Sequence, residues 1–503
     1  IEQGGELIIG DATAGNKAQF IISEGSRLTL GNNGTLKIKE GSKLIIEDGA
    51  NFTFEDGATI QLQGPNAELV IQGKLIVGPN ATFTFTGDGQ MVFDQNIPWV
   101  TANGNTYQDL TNYMDIGSGA RFELIGPSAA SKADPLLVVK KNAILKDQNN
   151  NIFDQVTIQN GAVELAHQQY LFIASPTDII DVEVRRHDPN ALHSGVRIWN
   201  GNNYTNYVRR TDFSGGNPAM LVHGFGSTGE TRFIECEFQD SYDALRFSGG
   251  HHYVSMCDFF GNDQYDIRGE ALNGQTFIGG SNFTRDFSKP TGVTTAIQLK
   301  GQAGSHLQMT ENIIDGAHLM GINLEGIDFD ADCNDIMNSH LGLRTENLML
   351  YMNEEASNKF INNTAANIWA FGDAQGNGLF FANGHNRFDF PTPLTSNFEH
   401  IQGDFDGYLF DGDFTMPGQT LDLNFNHFDV NPVPPGTILF PIGIRSATNP
   451  NQVYQILVDY NVNNKTDPTC ATGPLLNEFH PLVASISSKP PCVCLWINPP
   501  GGG

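Results

Sequence analysis

The chain has 503 residues, with 28 basic and 56 acidic side chains and a net charge of -28. A surface this negative repels a phosphate backbone, which argues against nucleic acids and anionic membranes as partners. Charged residues make up only 17% of the chain and glycine occurs 55 times, so the composition is too apolar for disorder and too rich in turn residues for a helical protein. The sequence also lacks an apolar run of about 20 residues, the length that a membrane-spanning helix needs.

Residues 1–90 carry a short repeat. Small turn residues precede an apolar–polar–apolar triplet, as in Ile60-Gln61-Leu62, and the early triplets begin eight residues apart. This alternation predicts a strand with one buried face, and the Gly or Asn between units predicts a corner. Eight residues cannot hold a strand, a crossover helix and a return strand, so three units should form one coil of about 24 residues. We therefore predict an all-β chain that forms a right-handed parallel β-helix, with residues 1–90 as an octad-repeat stalk.

Residues 91–180 are predicted to be transition coils of the same solenoid, and residues 181–395 a wider β-helix with loop insertions. In the wider segment an Asx or Glu residue recurs before an apolar strand end at intervals of 21 to 30 residues. A stacked Asn or Asp at a corner can form hydrogen bonds with backbone groups that the bend leaves unpaired. The predicted structural ladder consists of Asp188, Asp212, Glu237, Asp258, Asn282, Asn312, Asn334, Asn363 and Asn386.

Residues 396–503 interrupt the repeat with several prolines and with stretches of alternating polarity. This pattern predicts a small β-rich C-terminal domain or cap, which would cover the unpaired strand edges at an open solenoid end. Cys470, Cys492 and Cys494 fall in this segment. In an oxidising exterior two of them can form a disulfide, with one Cys left over.

The repeats resemble the pectin-lyase-like parallel β-helix superfamily, and the N-terminal octads resemble the stalk repeats of large bacterial adhesins. The Gly-, Asn- and Thr-rich style is similar to that of surface proteins exported by Bacteroidota. The resemblance covers about residues 5–395 and lies in the repeat pattern. Polysaccharide hydrolases and lyases occur in the superfamily, but the sequence has neither the Asp-Asp pair nor the Gly-His-Gly of the polygalacturonase type. No catalytic residue is therefore predicted.

A second strand in each coil of the wider segment has an outward central residue. Down the coils these residues are Arg197, Leu221, Arg246, Arg268, Gln298, Asn323, Arg344 and Trp369. We predict that Arg197, Arg246, Arg268, Arg344 and Trp369 form a binding strip for a carboxylated or sulfated glycan, or for an acidic patch on another subunit. The alternative is local charge balance with neighbouring Asp and Glu residues.

Calcium is the one cofactor that the sequence indicates. Asp328, Asp330, Asp332 and Asp335 alternate as the carboxylates of a calcium loop do. The expected turn Gly and the closing bidentate Glu are missing, however. In a strand, alternate Asp residues would simply line the solvent face.

The first functional hypothesis is a non-enzymatic structural or adhesive module of a secreted bacterial surface protein or extracellular appendage. Because the chain starts at Ile1 without Met, we interpret it as a processed piece or a segment of a longer protein. The expected location is extracellular or on the cell surface, and the expected partners are other copies of the chain (homo-oligomer or filament), cell-surface glycans, or both. The alternative hypothesis is a polysaccharide lyase or hydrolase, or a non-catalytic glycan-binding module, that uses the Arg-lined face for acidic glycans.

Overall fold

The computed structural model describes residues 1–389 except 12–16, 202–203, 225–227, 286–293, 317, 354–355, 372–376 and 382–383. Beyond residue 389 it describes 399–404, 408–410, 420–422, 426–428, 442–445, 454–457 and 483–487. The chain divides into two compact units, unit 1 (residues 1–263) and unit 2 (residues 264–503). The helical element in the described ranges is one 3-10 turn, Ala129–Ser131. These ranges contain no helix with the length and apolarity needed to cross a membrane.

Unit 1 consists almost entirely of short strands. In chain order they are β1 (Glu6–Ile9), β2 (Gln19–Ile22), β3 (Arg27–Leu30), β4 (Thr35–Lys39), β5 (Lys43–Ile46), β6 (Asn51–Phe54), β7 (Thr59–Gln63), β8 (Glu68–Ile71), β9 (Lys74–Val77), β10 (Thr82–Gly87), β11 (Gln90–Phe93), β12 (Trp99–Ala102), β13 (Asn105–Gln108), β14 (Met114–Ile116), β15 (Arg121–Ile125), β16 (Pro135–Val139), β17 (Ala143–Leu145), β18 (Gln155–Leu165), β19 (Leu171–Ile173), β20 (Thr177–Arg186), β21 (Val196–Trp199), β22 (Thr205–Arg209), β23 (Asp212–Ser214), β24 (Met220–Gly224), β25 (Glu230–Ile234), β26 (Glu237–Gln239), β27 (Asp243–Gly249), β28 (His251–Ser255) and β29 (Asp258–Phe260).

Successive strands of unit 1 lie on three faces of a coil, and each pairs in parallel with the equivalent strand of the next coil. On the first face β4 pairs with β7, so that Thr35 lies opposite Thr59, 24 residues later. On the second face β5 pairs with β8, and on the third face β3 pairs with β6. The parallel β-solenoid predicted from the octads is thereby confirmed, with three octads in each coil.

The coils of residues 91–180 are longer because they carry insertions. Strand β10 pairs with β15, and Thr82 lies opposite Arg121, 39 residues later. The additional residues include an antiparallel hairpin, β12–β13. The solenoid then continues through two long strands, β18 and β20, each of which crosses from the first face to the second.

Stacked aromatic rings occupy much of the core of unit 1. Phe213, Phe238 and Phe259 are buried at equivalent positions of three successive coils, with ring centroids 4.7 and 4.8 Å apart. This spacing equals the distance between neighbouring strands, so the parallel register itself brings identical side chains into contact. The coil repeat in the sequence thereby becomes a continuous column of apolar contacts.

Unit 2 has the same coil design. Its strands in chain order are β30 (Tyr265–Leu272), β31 (Gln275–Gly279), β32 (Asn282–Thr284), β33 (Thr295–Gly301), β34 (His306–Thr310), β35 (Ile313–Asp315), β36 (Met320–Glu325), β37 (Asp328–Asp332), β38 (Asp335–Met337), β39 (Leu341–Glu346), β40 (Met349–Tyr351), β41 (Lys359–Ile361), β42 (Ala366–Phe371), β43 (Asn377–Phe380), β44 (Arg387–Phe388), β45 (Glu399–Asp404), β46 (Tyr408–Phe410), β47 (Thr420–Asp422), β48 (His427–Phe428), β49 (Ile442–Arg445), β50 (Tyr454–Leu457) and β51 (Val483–Ser487).

The described strands beyond residue 396 are also parallel. Strands β45 and β49 extend the sheet that contains β42, and β46 and β48 pair with β43 and β44. Strands β47, β50 and β51 form a separate three-stranded sheet. The β-rich C-terminal domain or cap remains a prediction, because most of residues 396–503 lie outside the described ranges.

A buried asparagine ladder runs along one corner of unit 2. Its members are Asn312, Asn334, Asn358, Asn386 and Asn426, all at most 2% exposed. Each side-chain nitrogen donates to a backbone carbonyl at 2.6–2.9 Å, and the first four also donate to the side-chain oxygen of the next Asn at 2.8–2.9 Å. The ladder therefore satisfies corner groups that would otherwise be buried without partners.

This arrangement corrects the single ladder predicted from the sequence. Asn363 lies in a second buried position, where it accepts a hydrogen bond from the Ser339 N–H at 3.1 Å. Asn282 is exposed at the start of β32. In unit 1, Asp188 lies in an exposed loop, where its carboxylate accepts the Asn190 N–H.

The remaining three members, in unit 1, lie one residue beyond the corner. Asp212, Glu237 and Asp258 are stacked in register on the outer surface as the first residues of β23, β26 and β29. The preceding positions, Thr211, Cys236 and Cys257, are the buried ones. Partial burial raises the pKa of Glu237, and the two stacked Asp carboxylates raise it further. A one-residue shift in a strand reverses the face of the side chain, so repeat spacing alone did not separate the two columns.

Candidate functional site

The third face of unit 1 carries a short outward column. Arg197 in β21 lies opposite Leu221 in β24, and Leu221 lies opposite Arg246 in β27. All three are partly exposed between buried neighbours on the same strand. The structure therefore places Arg197 and Arg246 two coils apart on one column.

Arg197 has an unusual environment for a cation in an acidic protein. Its Nε donates to the carbonyl oxygen of Ser194 at 3.3 Å, and its guanidinium lies 4.1 Å from the centroid of the Tyr170 ring. Among the described residues it forms no ion pair with a carboxylate. Burial therefore lowers the pKa of Arg197, although an arginine side chain stays protonated in proteins.

A groove of about 420 Å³ lies beside this guanidinium. The third face contributes Ile144, Phe172 and Arg197 to its lining, and the inserted hairpin contributes Tyr107 and Gln108. The groove thus combines apolar rings, amides and a buried cation. Sites that bind small molecules typically have this composition and a volume of about 300–1,000 Å³.

Tyr170 connects the two walls of the groove. Its hydroxyl donates to Gln108 Oε1 at 2.9 Å, and its backbone N–H donates to Asn142 Oδ1 at 3.1 Å. The same ring lies against the Arg197 guanidinium. Tyr170 therefore fixes the hairpin to the solenoid and orients the cation.

Asp147 is the carboxylate in the groove lining, and the protein itself occupies its oxygens. Oδ1 accepts the backbone N–H groups of Asn149 and Asn151 at 2.8 Å each. Oδ2 accepts the Asn151 side-chain amide at 2.7 Å and the Ile116 N–H at 3.4 Å. Asp147 is 2% exposed and holds the loop that forms one end of the groove. The groove thus keeps a positive balance from Arg197 and Lys146.

A histidine and a tryptophan lie at the other end. His223 lines the groove, and the centroid of its ring lies 6.3 Å from that of Trp199, which is 41% exposed. Burial lowers the pKa of His223, and the positive charges of Arg197 and Arg246 lower it further. Its imidazole is therefore neutral at pH 7 and offers one donor and one acceptor.

Comparison with known proteins does not identify a relative. No protein-family model, curated protein or solved structure matches the chain. The chemistry of the groove is therefore argued from its own geometry.

The sequence interpretation missed the hairpin that forms one wall. Asn103 and Gly104 connect its strands with φ angles of 52° and 79°. Two consecutive positive φ angles are typical of a type I′ turn, and Asn-Gly is the preferred dipeptide for it. This signal is present in the sequence, but the position of the hairpin beside Arg197 depends on the coil register.

Unit 2 has its own outward column. Arg268, Gln298, Asn323, Arg344 and Trp369 lie opposite one another on successive strands, as the sequence pattern predicts. Trp369 is 42% exposed, and its ring centroid lies 5.5 Å from that of Phe371.

The arginines of this second column have acidic neighbours. Arg268 Nη2 lies 2.5 Å from Glu270 Oε1, and Arg344 Nη2 lies 2.8 Å from Glu346 Oε2. Each Glu follows its Arg by two residues and therefore points to the same side of the strand. Arg344 Nη1 also donates to Asn323 Oδ1 at 2.7 Å. Local charge balance, the alternative weighed from the sequence, describes these two arginines.

The four Asp residues proposed for calcium do not converge. Asp328, Asp330 and Asp332 alternate with buried residues along β37, while Asp335 lies in β38 and forms an ion pair with Lys359 at 2.9 Å. In the described ranges no group of three or more His, Cys, Asp or Glu side chains is arranged to hold a metal ion. Cys470, Cys492 and Cys494 lie outside the described residues.

Proposed function

We propose that this chain is a non-enzymatic structural and adhesive module of a bacterial surface protein or extracellular appendage. The observation that carries the proposal is the stacking of side chains along the coils of each unit. In unit 1 the stacked groups are buried aromatic rings, and in unit 2 they are buried asparagine amides.

Such stacking gives a solenoid stability that grows with the number of coils, since each coil mainly contacts its neighbours. It also presents long, regular outer faces for contact with other molecules. Proteins with this design are suited to spacing and display. The resemblance of the octads to stalk repeats of bacterial adhesins agrees with a place at the cell surface.

Lateral or end-to-end association with other copies is part of this proposal, and sedimentation velocity combined with electron microscopy tests it. We expect elongated particles whose sedimentation coefficient increases with protein concentration. Beads coated with the protein should adhere to one another or to glycan-bearing cells. A monomer at every concentration, together with no adhesion of coated beads, would contradict the proposal.

The second candidate is a protein that binds or cleaves acidic glycans on the Arg-lined face. Arg197 favours it, since this cation is partly buried and has no carboxylate partner among the described residues. Incubation with uronate-containing glycans, followed by detection of unsaturated sugar ends, tests for a lyase. Product that disappears in Arg246→Ala or Arg268→Ala would replace the non-enzymatic proposal with an enzymatic one.

A further inference from the structure

We propose that the groove between the β12–β13 hairpin and the third face of unit 1 binds a carboxylate attached to a six-membered ring. Arg197 receives the carboxylate, and Tyr107 and Phe172 contact the ring. The inference deepens the second candidate function and rests on it only where the ring belongs to a glycan.

The charge of the groove selects an anion. Arg197 has three guanidinium nitrogens but only one described hydrogen bond, from Nε to a backbone carbonyl. Its planar fork therefore retains donors for a carboxylate, the anion whose geometry it matches. Asp147 does not compete for these donors, because four protein N–H groups occupy its two oxygens.

The comparison with unit 2 shows what distinguishes Arg197. Arg268 and Arg344 also point outward from a strand of the same kind, but each has a glutamate at 2.5–2.8 Å. A ligand carboxylate at those positions would have to displace a carboxylate that is already present. At Arg197 the incoming carboxylate would instead supply the missing counter-charge in a partly desolvated site, where the attraction is stronger than in water.

The apolar surfaces of the groove favour a flat ligand. Tyr107 is 43% exposed and is held on the hairpin, opposite Phe172 on the third face. Aromatic side chains bury large flat surfaces with little loss of conformational freedom. The ring of a sugar acid or of an aromatic acid fits such surfaces.

Two polar groups can orient the ring. The neutral His223 imidazole lines the groove, and neither of its nitrogens forms a hydrogen bond with a described residue. The Gln108 amide is fixed by the Tyr170 hydroxyl, which occupies its oxygen and leaves its NH2 group as a donor. One neutral donor–acceptor and one donor match the hydroxyl groups of a sugar acid better than an aromatic acid.

Isothermal titration of the full chain with three probes tests the proposal: a uronic-acid disaccharide, the corresponding neutral disaccharide, and benzoate. We expect binding of at least one of the two acids and no binding of the neutral sugar. Binding of the disaccharide alone assigns the site to glycans, and binding of benzoate alone assigns it to aromatic acids. Either result supports a ring carboxylate. Failure of both acids, or equal binding of the neutral sugar, overturns the proposal.

Arg197→Gln should weaken the binding of the acid about 10- to 100-fold, because it removes a charge-assisted hydrogen bond. Arg121→Gln is the matched control, because it removes the same charge from an exposed position on the first face of the same unit. An equal loss in both variants would mean that the net charge of the protein, and not this groove, attracts the ligand, and would overturn the proposal.

Arg197→Gln also removes a contact with Tyr170 and can disturb the fold. Tyr107→Ala covers this case, since the side chain is exposed on the hairpin, outside the solenoid core. It should weaken binding several-fold, while Tyr242→Ala, at a position 39% exposed and outside the groove lining, should not. Unchanged binding in Tyr107→Ala would overturn the proposal. The adhesion and self-association assays do not use these ligands, so their outcome tests the structural role separately.

Discussion

Replacement of Asn334 by Ala should destabilise unit 2 far more than replacement of a surface asparagine. The Asn334 side chain donates to the Met309 carbonyl and to Asn358 Oδ1, both at 2.9 Å. Its own oxygen accepts the Asn312 N–H at 3.1 Å and the Asn312 side-chain amide at 2.8 Å. The substitution removes four hydrogen bonds in a position that is 1% exposed.

The cost is governed by the groups left behind. One carbonyl and two N–H groups would lose a partner inside the core, and each such loss costs about 1–3 kcal/mol. Water that enters the space left by the side chain recovers part of this, so we expect a loss of about 3–5 kcal/mol in the free energy of unfolding. Asn334→Asp should be at least as destabilising, because a buried carboxylate would face the carbonyl and amide oxygens that Asn334 now donates to.

Asn323→Ala is the matched control, since Asn323 lies in β36 of the same unit, is partly exposed and makes one described hydrogen bond, from Arg344. Its removal should cost about 0.5–1 kcal/mol. Urea unfolding gives the two free energies, and hydrogen exchange of the Asn312 amide reports the local effect. If Asn334→Ala falls within about 1 kcal/mol of the control, the ladder does not stabilise the solenoid in the way argued from its hydrogen bonds.

Three further predictions concern unit 1. Phe238→Ala removes a buried ring between two stacked neighbours and should cost about 3–5 kcal/mol in urea unfolding, whereas Phe260→Ala, at a position 43% exposed, should cost under about 1 kcal/mol; equal losses would refute the stacking argument. Burial lowers the pKa of His252 to about 3, so between pH 6.5 and 3 the unfolded chain binds a proton that the folded chain does not. Stability should therefore fall by about 2 kcal/mol more between pH 7.5 and 5 in the wild type than in His252→Gln, and parallel pH profiles would contradict this. Gly126→Ala should prevent folding of the coil, because the new Cβ would lie 1.8 Å from the Asn160 carbonyl oxygen, and a variant with an unchanged melting temperature would show that the backbone can yield there.

Much of the fold was accessible from the sequence. The octads gave the strand length, the corner positions and a coil of about 24 residues, because alternation and turn residues are local properties of the chain. The outward position of Arg197 and Arg344 followed from the same alternation. Apolar–x–apolar triplets have only one way to bury their apolar residues in a half-buried sheet.

The identity of the ladder needed the tertiary structure. Glu237 and Asn312 both precede an apolar strand residue, yet Glu237 lies on the surface and Asn312 in the core. The corner geometry decides which of two consecutive residues turns inward, and this geometry depends on the contacts of the coil with its neighbours. The sequence spacing is the same to within a residue in either case.

The groove likewise belongs to the tertiary structure. Tyr107 and Arg197 are 90 residues apart in the sequence, and they line one groove because the coil register brings the inserted hairpin beside β21. The sequence by itself determined that the chain forms a parallel solenoid with arginines on its outer face, since repeat period and alternation are encoded locally. Only the tertiary structure decided which arginine has a carboxylate beside it and which one does not, since that depends on the side chains that neighbouring coils and insertions bring within a few ångströms.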